Sequence, residues 1–294
     1  MRNVSVIIPT YHNRGGLIRA IKSVLAQDWP SIEVIVVDDN PPNSEERVQT
    51  ETLLKEFAEE PRVVYIKHSE NKNGAAARNT GIMHATGDFI AFLDDDDWFL
   101  DDKIAKQVAF LEKSSEFAAC YCLAKKNGKV YSGKAYEGDA TREMLLLETS
   151  MFTPCLMFRR EALLAINGFD ESFRRHQDYD LLLRFFHAGY KIGCVNEILT
   201  EIGANVGENI PSGQRVEELK KYFFDKFSCY INEINNKEAD FAQKVYAKHY
   251  AGVFLSHLKN KHFMMAMRIL FRYMPKSPSE FIGVIADHIK LHIK

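Results

Sequence analysis

Four consecutive carboxylates, Asp94, Asp95, Asp96 and Asp97, follow the apolar run Phe89–Leu93. Adjacent anions repel and raise one another's pKa, and a divalent cation relieves that repulsion. With no His or Cys beside them, these groups suit a hard ion, Mg²⁺ or Mn²⁺. Mg²⁺ typically takes one or two carboxylates and leaves its other positions to substrate phosphates. On an extended backbone Asp94 and Asp96 share one side and Asp95 and Asp97 the other. One pair can then hold a metal while the other meets hydroxyl groups of a substrate. The competing reading is a solvated acidic loop capping a helix that starts near Asp101. The apolar run before the cluster and Trp98 after it favour a built site.

Four further clusters could do chemistry. Pro9-Thr10-Tyr11 closes the run Val4–Ile8, and Asp38-Asp39 closes Ile32–Val37. Asp38-Asp39 could accept hydrogen bonds from a base or ribose, or simply form the turn before Pro41-Pro42. Arg78 lies in the small-residue segment GAAARNTG, where a guanidinium could reach a base or phosphate. HQDYDLLLR holds Asp178 and Asp180 at the start of an amphipathic helix. Carboxylates favour helix N-termini, so one of them caps and the other is a candidate general base. His12 and His176 are weaker candidates.

The elements that must position these groups alternate between strand and helix. Short β-branched runs at Val4–Ile8, Ile32–Val37, Val63–Ile66 and Phe89–Leu93 are separated by helical patterns at Gly15–Ala26, Glu45–Ala58 and Gly74–Ala85. This order predicts a mostly parallel sheet covered on both faces, an α/β fold. Ligands of such sheets bind at the carboxyl ends of the strands, where three of the polar clusters fall. A helix is expected over Asp101–Glu112, and a hairpin about Asn127-Gly128. Cys155–Phe158, Lys191–Val195 and Ile198–Ile202 read as strands, with helices from Arg160 and over Asp178–His187. After the glycine-bearing loop NVGENIPSGQR the pattern is helical to the end. Two regions are expected, 1–205 for the α/β domain and 206–294 for a helical appendage.

Composition narrows the classes. Of 294 residues, 46% are hydrophobic and 27% charged, which excludes disordered and fibrous chains. The 38 basic and 40 acidic side chains leave a net charge of −2, so no nucleic-acid partner is expected. The charge is uneven: residues 243–294 carry nine Lys/Arg and two Asp/Glu. Helical patterns over Lys261–Tyr273 and Phe281–Ile293 each offer an apolar stripe. These basic helices could pack on the rest of the chain or lie on an anionic membrane surface. Five cysteines, mostly in apolar runs, read as reduced thiols. The first residues form a strand rather than a signal peptide, and no run of about 20 apolar residues spans a membrane. A cytoplasmic protein, peripheral on the inner membrane face if the tail binds lipid, is expected.

Five segments, SVIIPTYHN, VIVVDDN, NGAAARNTGI, GDFIAFLDDDDWF and HQDYDLLLRF, in that order, resemble glycosyltransferase family 2. The resemblance covers about residues 1–205 and implies the GT-A fold, a Rossmann-like sheet flanked by helices. It implies that Pro9, Thr10, Tyr11, Asp39 and Arg78 border the nucleotide, with Asp39 and Arg78 near the base and Asp95 approaching the ribose. Asp96, with Asp94 beside it, would hold the metal, and Asp178 would be the catalytic base. The activity implied is inverting, metal-dependent transfer from a nucleotide-sugar, by default a UDP-sugar. The acceptor would be a glycan or lipid-linked saccharide in bacterial polysaccharide synthesis. Two departures stand out: Gln177 occupies a position where the family often has glutamate, and GANVGEN lacks the histidine that many members carry there. A nucleotidyltransferase is a poorer match, because PTYHNRGGLIR is not a glycine-rich phosphate loop. A non-catalytic scaffold subunit is disfavoured by the intact Asp178 and aspartate cluster.

Overall fold

A computed structural model describes residues 2–12, 15–131, 135–173, 176–203 and 213–293, with side chains of the last helix to residue 290. The segment 204–212 lies outside the described residues. It contains most of the expected loop and of the stretch lacking the family's histidine. The chain divides into two compact units, Met1–Thr141 with Thr149–Asn205, and Arg142–Glu148 with Val206–Lys294.

In the first unit the order is β1 (Val4–Thr10), α1 (Leu17–Leu25), β2 (Ile32–Asp38), α2 (Glu45–Leu54), β3 (Val63–Lys67), α3 (Gly74–His84), β4 (Phe89–Phe92), β5 (Trp98–Phe99), α4 (Lys103–Lys113), β6 (Ala119–Lys126) and β7 (Lys129–Val130). After α5 (Thr141–Leu145) come β8 (Leu156–Arg159), α6 (Arg160–Ala165), α7 (Gln177–His187) and β9 (Ile192–Ile202). The strands form one sheet in the order β3-β2-β1-β4-β8-β6-β9-β5, with β7 beside β6. β3, β2, β1 and β4 run parallel, whereas β8 pairs antiparallel with β4 and β6. The antiparallel β8 lets the chain return through short connections once the three βα units have been laid down.

The parallel half is positioned by burial. Val4, Val6, Ile7, Ile8, Val34 and Val36 are buried, as continuous apolar runs in a sheet covered on both faces require. The chain moves outward from β1 to β2 and β3, then returns to place β4 on the other side of β1. The strand order therefore reverses at β1, and the crevice at the carboxyl ends of β1 and β4 is where such sheets bind ligands.

Sequence expectations fail locally in two places. The strands expected at Lys191–Val195 and Ile198–Ile202 are one strand, β9, whose pairing with β6 is interrupted by register shifts around Leu123. Such a bulge absorbs residues that the alternation pattern reads as a break. β5, only two residues, is too short to leave a pattern. Asn127 and Gly128 form the expected two-residue hairpin loop, both with positive φ.

The second unit holds α8 (Gln214–Asn235), α9 (Phe241–Lys259), α10 (Phe263–Tyr273) and α11 (Pro278–Ile293), with α8, α10 and α11 each packed on α9. Residues 142–148 join it through Arg142–Glu238, Lys248–Glu148 and the His249 ring bonded to the Leu145 carbonyl. On α10, Ala266, Ile269 and Tyr273 are buried, and Tyr273 stacks on Tyr250 with ring centroids 3.8 Å apart. Phe263, Met264, Met267 and Phe271 are exposed by 62, 89, 43 and 70%. The apolar positions of this helix thus form two faces, of which one is packed and one faces out.

Candidate active site

The acidic loop after β4 is held by its backbone. A Cβ on Gly16 would lie 2.3 Å from the Asp95 carbonyl oxygen, and one on Gly203 would lie 2.2 Å from that of Asp96. Only residues without a Cβ let the segments before α1 and after β9 clasp the loop this closely. Arg19 donates to the Asp96 carbonyl at 2.8 Å while its guanidinium stacks on Trp98 at 3.7 Å. The Gly203 amide donates to Asp97 Oδ1 at 2.7 Å, and Thr10 Oγ1 donates to Asp95 Oδ2 at 2.5 Å. The Thr10–Asp95 bond spans the point where the strand order reverses.

Electrostatics follow from this crowding. Burial pushes the Asp95 carboxyl up to about 7, against the Thr10 hydrogen bond and with the help of the Asp96 and Asp94 charges. Burial and the nearby Asp94 charge push Asp97 up to about 8, against the pull of the Gly203 amide. Among the described residues no group of three or more His, Cys, Asp and Glu is set to hold a metal ion. Asp95, Asp97 and Asp94 each have a protein donor, from Thr10, Gly203 and Arg78 respectively. This donor set fits a hard cation that takes one or two carboxylates, such as Asp96 with Asp94, and completes its shell with substrate oxygens.

Asp38 and Asp39 are both buried and both act as knots. Asp39 accepts at 2.8 Å from the Asn71 side chain and from the Lys72 and Asn73 amides, and lies 2.8 Å from the His68 ring. Asp38 accepts from Asn40, from the Tyr65 hydroxyl at 2.6 Å and from Arg47 at 3.0 Å. The Asp39 carboxylate thereby organises the 68–73 segment that leads into α3, while that of Asp38 gathers Asn40, Tyr65 and Arg47. Tyr11 is exposed, edge-on to His12, and Pro9 is next to last in β1, beyond the residues paired with β4.

Arg78 connects three elements. Its Nη2 donates to Asp94 at 2.5 Å and its Nη1 to Gln177 Oε1 at 2.8 Å, with the guanidinium over the Phe169 ring at 5.5 Å. Asp178, beside Gln177, accepts from the Tyr179 amide at 2.9 Å. Burial holds the Asp178 carboxyl above the usual carboxylate range, opposed by the Tyr179 amide and Arg78 and assisted by Asp94. Asp180 is fully buried and paired with Arg184, which also donates to the Ile166 and Gly168 carbonyls.

The structure therefore brings Thr10 to Asp95, Arg78 to Asp94, and Asp178 into the field of both Arg78 and Asp94. Residues not singled out from the sequence support them. Asn73 caps α3 and also reaches the Glu171 carbonyl at 3.0 Å, and Asn79 brackets Phe169 through both its amide and its carbonyl. His68 bridges Asp39 and Thr80. Asn73 just before an apolar helix was a readable cap. The other partners are remote in sequence.

Comparison with known proteins agrees with this architecture. The model of glycosyl transferase family 2 matches residues 5–166. The chain is 27% identical over 229 residues to the uncharacterized glycosyltransferase MJ1057 of Methanocaldococcus jannaschii, covering 75% of this chain and 77% of that one. It is 31% identical over 195 residues to WcaA of Escherichia coli K12, named for colanic acid biosynthesis, covering 62% and 65%. The crystal structure of S. aureus TarS 1-349 in complex with UDP-GlcNAc superposes with a TM-score of 0.61 at 15% identity, over 98% of this chain and 92% of that one, a likeness of fold. No helix among the described residues is long and apolar enough to cross a membrane. With its mixed α/β sheet and the acidic loop at the strand ends, the chain belongs to glycosyl transferase family 2 and is a glycosyltransferase.

Proposed function

We propose that the chain moves a sugar from a nucleotide-sugar to a hydroxyl of a glycan or lipid-linked saccharide, with inversion at the anomeric carbon. One observation carries the reading: Arg78 links Asp94 of the acidic loop to Gln177, the neighbour of Asp178. A carboxylate base and a charge-collecting loop thus share one rim of the sheet. Asp178 takes the proton of the acceptor hydroxyl as its oxygen attacks the anomeric carbon, and the bond to the nucleoside diphosphate breaks on the opposite face. Partial burial suits Asp178 to this role, because a carboxylate held above its usual range is a stronger base.

The nucleotide lies along Pro9, Thr10 and Tyr11 at the end of β1, with Asp39, Arg78 and Asp95 as its polar borders. Asp39 acts there by shaping the 71–73 backbone. A divalent cation at Asp96, with Asp94 near it, would supply charge neutralisation for the departing diphosphate. UDP-sugar is the donor favoured, since the TarS structure was solved with UDP-GlcNAc. The relative named for colanic acid biosynthesis favours a polysaccharide product. Release of UDP from candidate donors, with and without Mg²⁺ or Mn²⁺, followed by product mass, tests the reading. Failure of every nucleotide-sugar to turn over would sink it.

The acceptor's lipid link would bring the enzyme to a membrane. The outward face of α10, Phe263, Met264, Met267 and Phe271, is flanked by exposed Lys261 and Arg272, with Arg268 paired to Glu217. Apolar side chains beside basic ones suit the headgroup boundary of an anionic leaflet. The enzyme would then work on the inner face of the cell membrane.

A further inference from the structure

We infer that Arg78 and Gln177 form a positioning bridge that fixes the first turn of α7, and with it Asp178, relative to the acidic loop. The proposal rests on Asp178 being the base.

The N-cap of α7, His176, has a left-handed backbone with φ 56° and makes no side-chain cap hydrogen bond. A helix end without a side-chain cap leaves its first amides dependent on other partners, and its first turn is the part most prone to fray. Asp178 lies in that turn, and the hydrogen bond from the Tyr179 amide is local to it. One tie to the rest of the site runs through the preceding residue, Gln177, to Arg78.

Arg78 is itself held rigidly. It sits on α3, whose first turn is capped by Asn73, and Asn73 is anchored in turn by Asp39. Its side chain folds back toward the start of α3, over Gly74 one turn earlier. A Cβ at Gly74 would lie 3.2 Å from Arg78 Nη1 and 3.7 Å from Gln177 Oε1. The first distance is tighter than ordinary contact, so glycine leaves room for the bridge. Phe169 lies beneath the guanidinium, on a segment that Asn79 holds at both its amide and its carbonyl. A planar fork with two fixed acceptors sets both distance and angle, which an ammonium cannot do.

The identity of residue 177 then has a consequence. A neutral amide accepts one hydrogen bond and leaves the guanidinium charge shared between Asp94 and the field at Asp178. Glutamate would accept the same bond but add a negative charge next to the base. Among the described residues, the charged groups acting on Asp178 include Arg78 from α3 and Asp94 from the acidic loop, with the Tyr179 hydroxyl on its own helix.

The test compares Gln177→Met, Gln177→Glu and Asp178→Asn in the full chain, once a donor is known. Turnover, donor KM and the pH profile are measured, with thermal unfolding as the check on folding. Loss of the bridge in Gln177→Met should lower kcat about tenfold or more, as misplacement of a reacting group does, with donor KM within about twofold and the fold intact. Gln177→Glu should restore most of that turnover at high pH, with the acidic limb of its profile moved to higher pH. Wild-type kcat and an unmoved profile in both Gln177 variants would overturn the bridge even though Asp178→Asn is inactive. An active Asp178→Asn would instead remove the base assignment, and the proposal with it. A Gln177→Met variant that loses kcat only by unfolding, with Gln177→Glu no better, would also count against it.

Discussion

Asp180 Oδ2 lies 2.9 Å from the Arg184 guanidinium inside the first unit, fully buried, two residues from the half-buried Asp178. The two aspartates of QDYD thus have opposite surroundings. One is tied into the core, where Arg184 also gathers the Ile166 and Gly168 carbonyls, and the other is half-buried beside the Arg78–Gln177 bond.

Asp180→Ala is accordingly expected to damage the fold rather than the chemistry. Leaving a buried partner unpaired typically costs roughly 3 kcal/mol or more. Chemical denaturation should show that loss, whereas the variant that remains folded at low temperature should retain donor binding. Unchanged stability together with lost turnover would make Asp180 a participant in the reaction.

The acidic loop makes stability depend on pH. Asp97 is raised to about 8 in the folded protein, above its unfolded value near 4. The folded state therefore favours the protonated form. The resulting stabilisation is whole below about pH 4 and is lost as pH rises through about 8. Asp97→Asn keeps an acceptor for the Gly203 amide without the charge. Its melting temperature should fall less than that of the wild type between pH 5.5 and 8.5, and added Mg²⁺ should narrow the wild-type loss. Parallel curves for the two proteins would refute this account of the loop.

Under the proposed assignment Asp96→Ala removes the metal dependence of donor binding, since its carboxylate would recruit the cation. Calorimetric titration of UDP with Mn²⁺ and with chelator should give the same weak affinity for the variant. A variant that still responds to the metal would take Asp96 out of the metal site.

The outward face of α10 yields a prediction of its own. Wild-type protein should co-sediment with anionic vesicles at low salt, each basic side chain near the surface contributing about 1 kcal/mol. Replacing Met264 and Phe271 together by glutamate should abolish that binding while leaving transfer to a soluble acceptor unchanged. Equal sedimentation of the two proteins would assign the exposed face another purpose.

Much of this architecture was legible because it rests on local pattern. The continuous runs of β1, β2 and β4 announce buried parallel strands, and Asn127-Gly128 announces its hairpin. The polar groups at the strand ends needed only the rule that such sheets bind ligands there. What the sequence hid is pairing across long separations. Nothing near Asp39 says that residues 68–73 will fold onto it, and Arg78 meets Gln177 from 99 positions away. The i to i+4 spacing of Asp180 and Arg184 is visible in the sequence and distinguishes the two aspartates of QDYD. The apolar pattern of α10 showed that a face exists. It could not show that Ala266, Ile269 and Tyr273 would take the packed side and leave Phe263, Met264, Met267 and Phe271 outside.

The central claim is that Asp178 removes a proton from an acceptor hydroxyl beside the acidic loop. The most direct measurement is the rate of sugar transfer by the wild type and by Asp178→Asn, paired with donor affinity for each. An amide keeps the shape but cannot take the proton. Transfer should therefore fall about a hundredfold or more, while donor affinity stays within about twofold. Transfer by Asp178→Asn at a rate close to wild type would contradict the account.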